Sequence, residues 1–175
     1  MRLLGLIVRS DLKWSSNTQH MVLKAYKKLW IIRRLKSHGA EIIDLVDMYV
    51  KQVRCMLELA VPVWAGAVTQ AEIDDIERVQ KGALHVILGE NYINYRIALN
   101  MTDLETLELR RTKLCLKFAL KAEKHPKFSH WFKQKFKNNT RQKQHKYYTV
   151  TGRTSRLLKS PISHLINLLN EHYSK

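Results

Sequence analysis

Residues 50–88, VKQVRCMLELAVPVWAGAVTQAEIDDIERVQKGALHVIL, constrain the fold more than any other stretch of the chain. They read as two amphipathic helices separated by a break at Pro62 to Gly66. The first helix begins upstream. Ile42, Val46, Tyr49, Val50, Val53, Leu57 and Ala60 fall on one stripe of a helical wheel, with Asp44, Asp47, Lys51, Arg54 and Glu58 opposite. Pro62 has no N–H to donate and drives Val61 away from helical dihedrals, so this helix is expected to stop at about Ala60. Trp64, a large apolar ring in the connection, is expected to be buried as a plug in the corner. Thr69 followed by Glu72 has the spacing of a capping box, and the helix it opens is expected to bury Ile73, Ile76, Val79, Ala83 and Ile87.

The rest of the chain supplies further helices around this pair. Leu3 to Val8 reads as a strand with Gly5 inside it; its partner is either missing or the segment just after it. A helix is expected from about Thr18 to Lys36, with Val22, Ala25, Tyr26, Leu29 and Ile32 inward and Gly39 closing it in the left-handed region. Tyr92 to Leu99 reads as a short helix. Thr102, with Glu105 three residues on, reads as the N-cap of a helix that runs to about Lys124 and ends before Pro126. Leu104, Leu107, Leu114, Phe118 and Ala122 face inward on it. Arg111 lies beside that stripe, either with a snorkelling stem or as the ion-pair partner of an acid such as Glu58. A last short helix, Ile162 to Leu169, follows Ser160-Pro161. The expected fold is mainly α, an irregular helical bundle with a short N-terminal β-strand. The expected organisation is residues 1–14 as the strand region, 15–126 as the helical domain and 127–175 as a basic, partly disordered extension.

Charge is where composition enters. Among 175 residues, 31 are Lys or Arg and 15 are Asp or Glu, a formal net charge of +16. Residues 1–40 hold nine basic residues against one acid, and residues 127–175 hold eleven against one. Residues 61–126 balance nine against nine. Two basic arms flanking a neutral centre point to a polyanionic partner, nucleic acid first and an anionic membrane surface second. The bland alternative is a set of solvated lysines. The residues assigned to phosphate contact are Lys24, Lys27, Lys28, Arg33, Arg34 and Lys36 in the first arm. In the second they are Lys133, Lys135, Lys137, Arg141, Lys143 and Lys146. Phe128, Trp131, Phe132 and Phe136 interleave with the second arm's lysines; they either stack on bases or close a small apolar cluster, and packing is the reading adopted for the first three. Asn138 to Tyr148 has no apolar period and reads as a loop or disordered segment.

Several chemistries find no support in the residues. No apolar run is long enough to span a bilayer, and MRLLGLIV is too short an apolar span for a secretory signal, so an intracellular, non-secreted protein is expected. Cys55 and Cys115 are isolated on helical patterns and read as buried free thiols. The eight histidines lack the paired spacing of zinc ligands. No glycine-rich phosphate loop and no G-x-S-x-G is present. No residue is assigned a catalytic role and none is assigned as a metal ligand.

The ordered set of residues resembles the C-terminal, thumb-and-connector part of reverse transcriptases from non-LTR (LINE-like) retrotransposons. Leu4-Gly5-Leu6 and Leu12-Lys13-Trp14 resemble the family's last palm strand, with Arg9 where an acid is usual. Arg33-Arg34-Leu35 resembles the basic end of the next helix. Tyr49-Val50, Leu57-Glu58, Ala60, Pro62-Val63-Trp64 and Ile76-Glu77-Arg78-Val79-Gln80-Lys81 are similar to the thumb-side run. Leu104-Glu105-Thr106-Leu107, Arg110-Arg111 and Leu114-Cys115-Leu116-Lys117-Phe118-Ala119 continue it. Lys124-His125-Pro126-Lys127-Phe128, Trp131-Phe132, Ser160-Pro161-Ile162, Leu165 and Leu168-Leu169-Asn170 complete the match over nearly the whole length. The resemblance implies RNA-directed DNA polymerase as the parent activity, with Mg²⁺ at palm aspartates on an aromatic-x-Asp-Asp hairpin. This sequence contains no such hairpin; Asp74-Asp75 lies on the thumb-side helix and reads as a pair of helix N-terminal acids. The chain is therefore expected to be a fragment that is inactive by itself, needs no cofactor, retains non-specific RNA/DNA (template-primer) affinity, and fits against a palm and fingers elsewhere in the same polymerase. The alternatives are a basic helical protein-interaction module and a relic reading frame.

Overall fold

The computed structural model describes residues 1–135 and 146–174. The fold is mainly α, an irregular helical bundle with a small N-terminal hairpin. Contacts divide the chain into two compact units, one of Met1–Ala60 with Val68–Arg110, the other of Val61–Ala67 with Arg111–Lys175. These boundaries follow contacts and do not coincide with the expected cuts after residues 14 and 126.

The first unit opens with β1 (Arg2–Leu3) and β2 (Leu6–Ile7), paired antiparallel as Arg2 with Ile7 and Leu3 with Leu6. The stretch read as one strand thus folds back on itself. Leu4 (φ 46°) and Gly5 (φ 87°) both take positive φ, as a two-residue type I′ turn requires. Leu6 is buried, and the Ile7 N–H donates to Asn17 Oδ1 at 3.0 Å, tying the hairpin to the first helix.

Helix α1 (Ser15–Ser37) starts three residues earlier than expected and packs mainly on α5 (Gln70–Leu88). Its inward side is Thr18, Met21, Ala25, Leu29 and Ile32; Tyr26 is exposed and Val22 half-buried. The stripe is rotated toward the residues preceding those two because Asn17 and Met21, joined side chain to side chain at 3.6 Å, complete the buried row. Gly39 takes φ 82° after the helix, as expected.

The next helical run is α2 (Ile42–Tyr49), a π-helical turn (Val50–Arg54) and α3 (Cys55–Leu57). Its buried residues are Leu45, Tyr49, Val53 and Leu57, four apart throughout. A four-residue repeat drifts around a regular α-helix, and the wider π turn holds it on one side. The expected stripe is corrected accordingly: Ile42 is exposed, Val46, Val50 and Ala60 are half-buried, and Arg54 and Glu58 are half-buried rather than solvent-facing. The helix ends at Leu57, earlier than Pro62 would dictate, and Ala60 takes φ 49°. Cys55 is exposed, against expectation, while Cys115 is buried.

Helix α5 follows the sequence closely. Thr69 Oγ1 accepts from the Glu72 N–H and Glu72 Oε2 accepts from the Thr69 N–H, a complete capping box. Ile76, Val79, Ala83 and Ile87 are buried and Ile73 is half-buried. Leu84 and Leu88 face a second cluster with Ala98 and Leu99 of α6 (Tyr95–Thr102). The short helix begins at Tyr95 rather than Tyr92 because Asn94 caps it, accepting from the Ile97 N–H at 2.9 Å. Thr102 is no N-cap: it ends α6, and its buried hydroxyl donates to Ala98 O at 2.7 Å. Helix α7 (Leu107–Lys124) begins after Thr106, whose Oγ1 accepts from the Leu109 N–H.

In the second unit, α4 (Val61–Trp64) is one helical turn that tolerates Pro62 near its start, and Trp64 is fully buried there. The turn after it approaches α9 (Pro161–Tyr173) so closely that a Cβ on Gly66 would lie 2.6 Å from His164 Cβ. Along α7 the buried row is Arg111, Cys115, Ala119 and Ala122; Phe118 is exposed and Leu114 half-buried. Helix α8 (Ser155–Leu158) precedes α9, which is capped by Ser160, starts at Pro161, one residue before the expected Ile162, and runs four residues past Leu169. Phe132, Tyr147, Leu165, Ile166 and Leu169 are buried. Residues 133–135 and 146–148 pair antiparallel through Gln134 and Tyr147, with Lys135 N–H donating to Lys146 O and Tyr148 N–H to Lys133 O.

Candidate nucleic-acid interface

Helix α1 carries no acidic residue over its whole length. Its outer side presents Lys24, Lys27, Arg33 and Arg34, all exposed. Lys28 is half-buried and donates to Gln52 Oε1 at 3.0 Å. Lys36 has another occupation: its Nζ donates to Val86 O at 2.7 Å and Ile87 O at 3.1 Å, on the last turn of α5, where the helix dipole favours a cation. Among the described residues no carboxylate pairs with Lys24, Lys27, Arg33 or Arg34. Lys24, Lys27 and Lys28 meet Trp30, Ile31 and Met56 around an open hollow of about 430 Å³. Trp30 is 63% exposed, and Leu23 and Tyr26 are exposed on the same helix. The apolar pattern of the sequence does not single out Trp30, although its place three residues after Lys27 and four before Arg34 puts it among the cations.

The second unit treats its basic residues differently. Lys133 is exposed, and Lys135 lies 5.5 Å from the Tyr148 ring centroid. Lys146 is held inside a polar cluster: its Nζ donates to Glu123 Oε1 at 2.8 Å and lies 3.7 Å from the Tyr173 ring centroid. The Tyr147 hydroxyl donates to the same Glu123 oxygen, and the Tyr173 hydroxyl to Glu123 Oε2 at 2.8 Å. Burial works to raise the Glu123 pKa, but these three donors prevail and hold it below the ordinary carboxylate value. Asn170 brackets the Tyr147 backbone, accepting from its N–H at 2.9 Å and donating to its carbonyl at 3.1 Å. Lys146 and Tyr147, read as loop, are thus structural. Phe128, Trp131 and Phe132 form a run of ring contacts that reaches Tyr147, with centroids 4.9 to 6.5 Å apart. Phe136, Lys137, Arg141 and Lys143 lie outside the described residues.

A basic face that the balanced charge count concealed lies on α7. Lys113, Lys117, Lys121 and Lys124 are exposed there and line one hollow with Leu116 and Leu120. The segment is neutral overall, yet its lysines recur at helical spacing, a signal legible in the sequence once charges are placed on a wheel.

The residues that carry the family resemblance serve the frame. Tyr49 OH donates to Gln80 Oε1 at 2.7 Å; Gln80 Nε2 donates to Tyr95 OH at 2.9 Å and to Glu105 O at 2.8 Å. Tyr95 OH donates to Glu77 Oε1, which also accepts from the Leu107 N–H at 3.2 Å. Burial, then the neighbouring charges, push the Tyr49 hydroxyl well above its ordinary pKa, so it remains a donor. Lys81 lies 5.2 Å from the Tyr95 ring centroid. Glu58 takes a two-pronged contact from Arg110, not Arg111, and Arg54 approaches it at 3.5 Å. Asp74 accepts from Gln70 and Asp75 from Arg78. Among the described residues no group of three or more His, Cys, Asp or Glu side chains is placed to hold a metal ion, and no helix is long and apolar enough to cross a membrane.

The chain matches none of the family models, curated proteins or solved structures with which it was compared.

Proposed function

We propose that this chain is the thumb-side and connector region of a non-LTR retrotransposon reverse transcriptase, and that its own contribution is to hold RNA or DNA by the phosphate backbone without sequence preference. The observation that carries this reading is the acid-free outer side of α1, with Lys24, Lys27, Arg33 and Arg34 exposed and unpaired with carboxylates among the described residues. Exposed cations spread along the outer side of one helix can meet successive phosphates, and such contacts supply affinity and register but no base code. Arg33-Arg34-Leu35 is also a stretch through which the family resemblance runs. The polar network around Gln80 supports the resemblance in a second way, because it joins three matched runs that are far apart in sequence, through Tyr49, through Glu77 and Gln80, and through Glu105. In this reading nucleotide transfer and its Mg²⁺ belong to palm aspartates that this sequence does not contain.

The test is binding of the purified chain to labelled RNA and DNA strands of several unrelated sequences, with the double variant Arg33→Glu, Arg34→Glu alongside. Charge reversal at two exposed positions leaves the core untouched and should weaken every sequence by the same factor. Unchanged affinity in the variant, or a loss confined to one sequence, would contradict the proposal. Binding of a protein partner with no nucleic-acid affinity would favour an interaction module instead.

A further inference from the structure

Resting on the reading of α1 as a nucleic-acid-binding face, we infer that Trp30 is a base-stacking residue: the hollow beside it takes one unpaired nucleotide, the base on the Trp30 indole and the flanking phosphates on Lys24, Lys27 and Lys28. The hollow has the right chemistry for both halves of that ligand. Trp30, Ile31 and Met56 supply apolar lining, and Lys24, Lys27 and Lys28 supply positive charge. Trp30 is 63% exposed, so most of the indole is open to a ligand. The Lys28 ammonium is already oriented by Gln52 at 3.0 Å. Arg33 and Arg34, one helical turn on, extend the cationic track past Trp30. A flat aromatic base with a phosphate on either side matches this alternation of π surface and positive charge. A duplex does not, since its bases are already stacked and would have to be unstacked to reach the indole. A lipid surface fits less well. An interfacial helix buries a broad apolar face in the bilayer, whereas on α1 the row of Met21, Ala25, Leu29 and Ile32 is occupied by the core, and the exposed Leu23, Tyr26 and Trp30 are interleaved with Lys24, Lys27 and Arg34.

The experiment compares three ligands of equal length: a single-stranded oligothymidylate, the same backbone with abasic sites, and a duplex. Binding is followed by anisotropy and by tryptophan quenching for the wild-type chain, Trp30→Ala and Trp30→Phe. Trp30→Ala should weaken the oligothymidylate roughly five- to a hundredfold, the span of one stacked base. It should leave the duplex and the abasic strand nearly unchanged and remove most of the quenching; Trp30→Phe should retain much of the affinity. Equal losses on all three ligands, or none, overturn the stacking role while leaving backbone binding intact. A wild-type chain that binds no nucleic acid overturns both readings. Insertion of Trp30 into phosphatidylserine vesicles, seen as a blue shift, without quenching by the oligothymidylate, assigns the face to membranes and also overturns the proposal.

Discussion

Gln80 shows how much of this protein is decided by single polar side chains. It is fully buried on α5, yet its amide group is engaged on both ends, accepting from Tyr49 and donating to Tyr95 and to the Glu105 carbonyl. Truncating one partner leaves a buried acceptor without its donor. Tyr49→Phe, which keeps the ring, should therefore cost about 1–3 kcal/mol in denaturant melts; a change within the ~0.5 kcal/mol of surface substitutions would show that the network contributes nothing. Glu123 is the counterpart in the second unit. Its pKa is lowered in the folded protein, so the stability it contributes is present above the ordinary value of 4.5 and is lost as pH falls through the folded value. Thermal melts taken downward from about pH 5 should show a falling Tm that Glu123→Gln flattens. The same slope in both proteins would remove Glu123 from the account. None of these partners is legible in the sequence, because a glutamine or glutamate on an amphipathic helix looks solvated until the facing element is known. Arg110 and Arg111 make the point directly: adjacent and chemically alike, one reaches Glu58 and the other is buried in the other unit's helical row.

Elements are legible where local chemistry decides and illegible where winding decides. The α5 capping box follows from Thr69 and Glu72 alone, and the Ser160-Pro161 start of α9 from two residues. The N-terminal hairpin differs from the single expected strand because Leu4 at positive φ gives no warning; only Gly5 invites the turn. The register of the run from Ile42 to Leu57 departs from the expected stripe because a wheel of fixed pitch cannot anticipate a π turn. Burial at the start of that run gives a sharp comparison. Leu45 is buried and Ile42, the first residue of α2, is 41% exposed, although the expected stripe includes Ile42 and omits Leu45. Leu45→Ala should cost about 2–5 kcal/mol, and Ile42→Ala within roughly 0.5 kcal/mol. The reverse order in equilibrium unfolding would put Ile42 rather than Leu45 in the core. Trp30 is hard to place from sequence for a related reason: it sits beside an expected apolar stripe whose true position differs by a fraction of a turn.

For the whole molecule, the distribution of charge matters more than its total. The two basic arms inferred from composition do not act alike. In the first, Lys24, Lys27, Arg33 and Arg34 are exposed along the outer side of one helix, while in the second Lys146 is consumed by Glu123 and the aromatic rings. The neutral middle of the chain contributes a lysine face of its own on α7. The mainly α fold is legible because helical periodicity runs through most of the sequence. The division into two units is not, because Val61–Ala67 joins residues far along the chain, and no local signal records that. The central claim, that α1 holds the phosphate backbone, is tested most directly by the salt dependence of affinity for a single strand between about 50 and 500 mM. If about four phosphates are engaged, log affinity should fall against log salt with a slope near −3, and Arg33→Glu with Arg34→Glu should flatten it by about one unit for each phosphate that the variant leaves unneutralised. An affinity that does not change with salt, or a slope identical in wild type and variant, would contradict the claim.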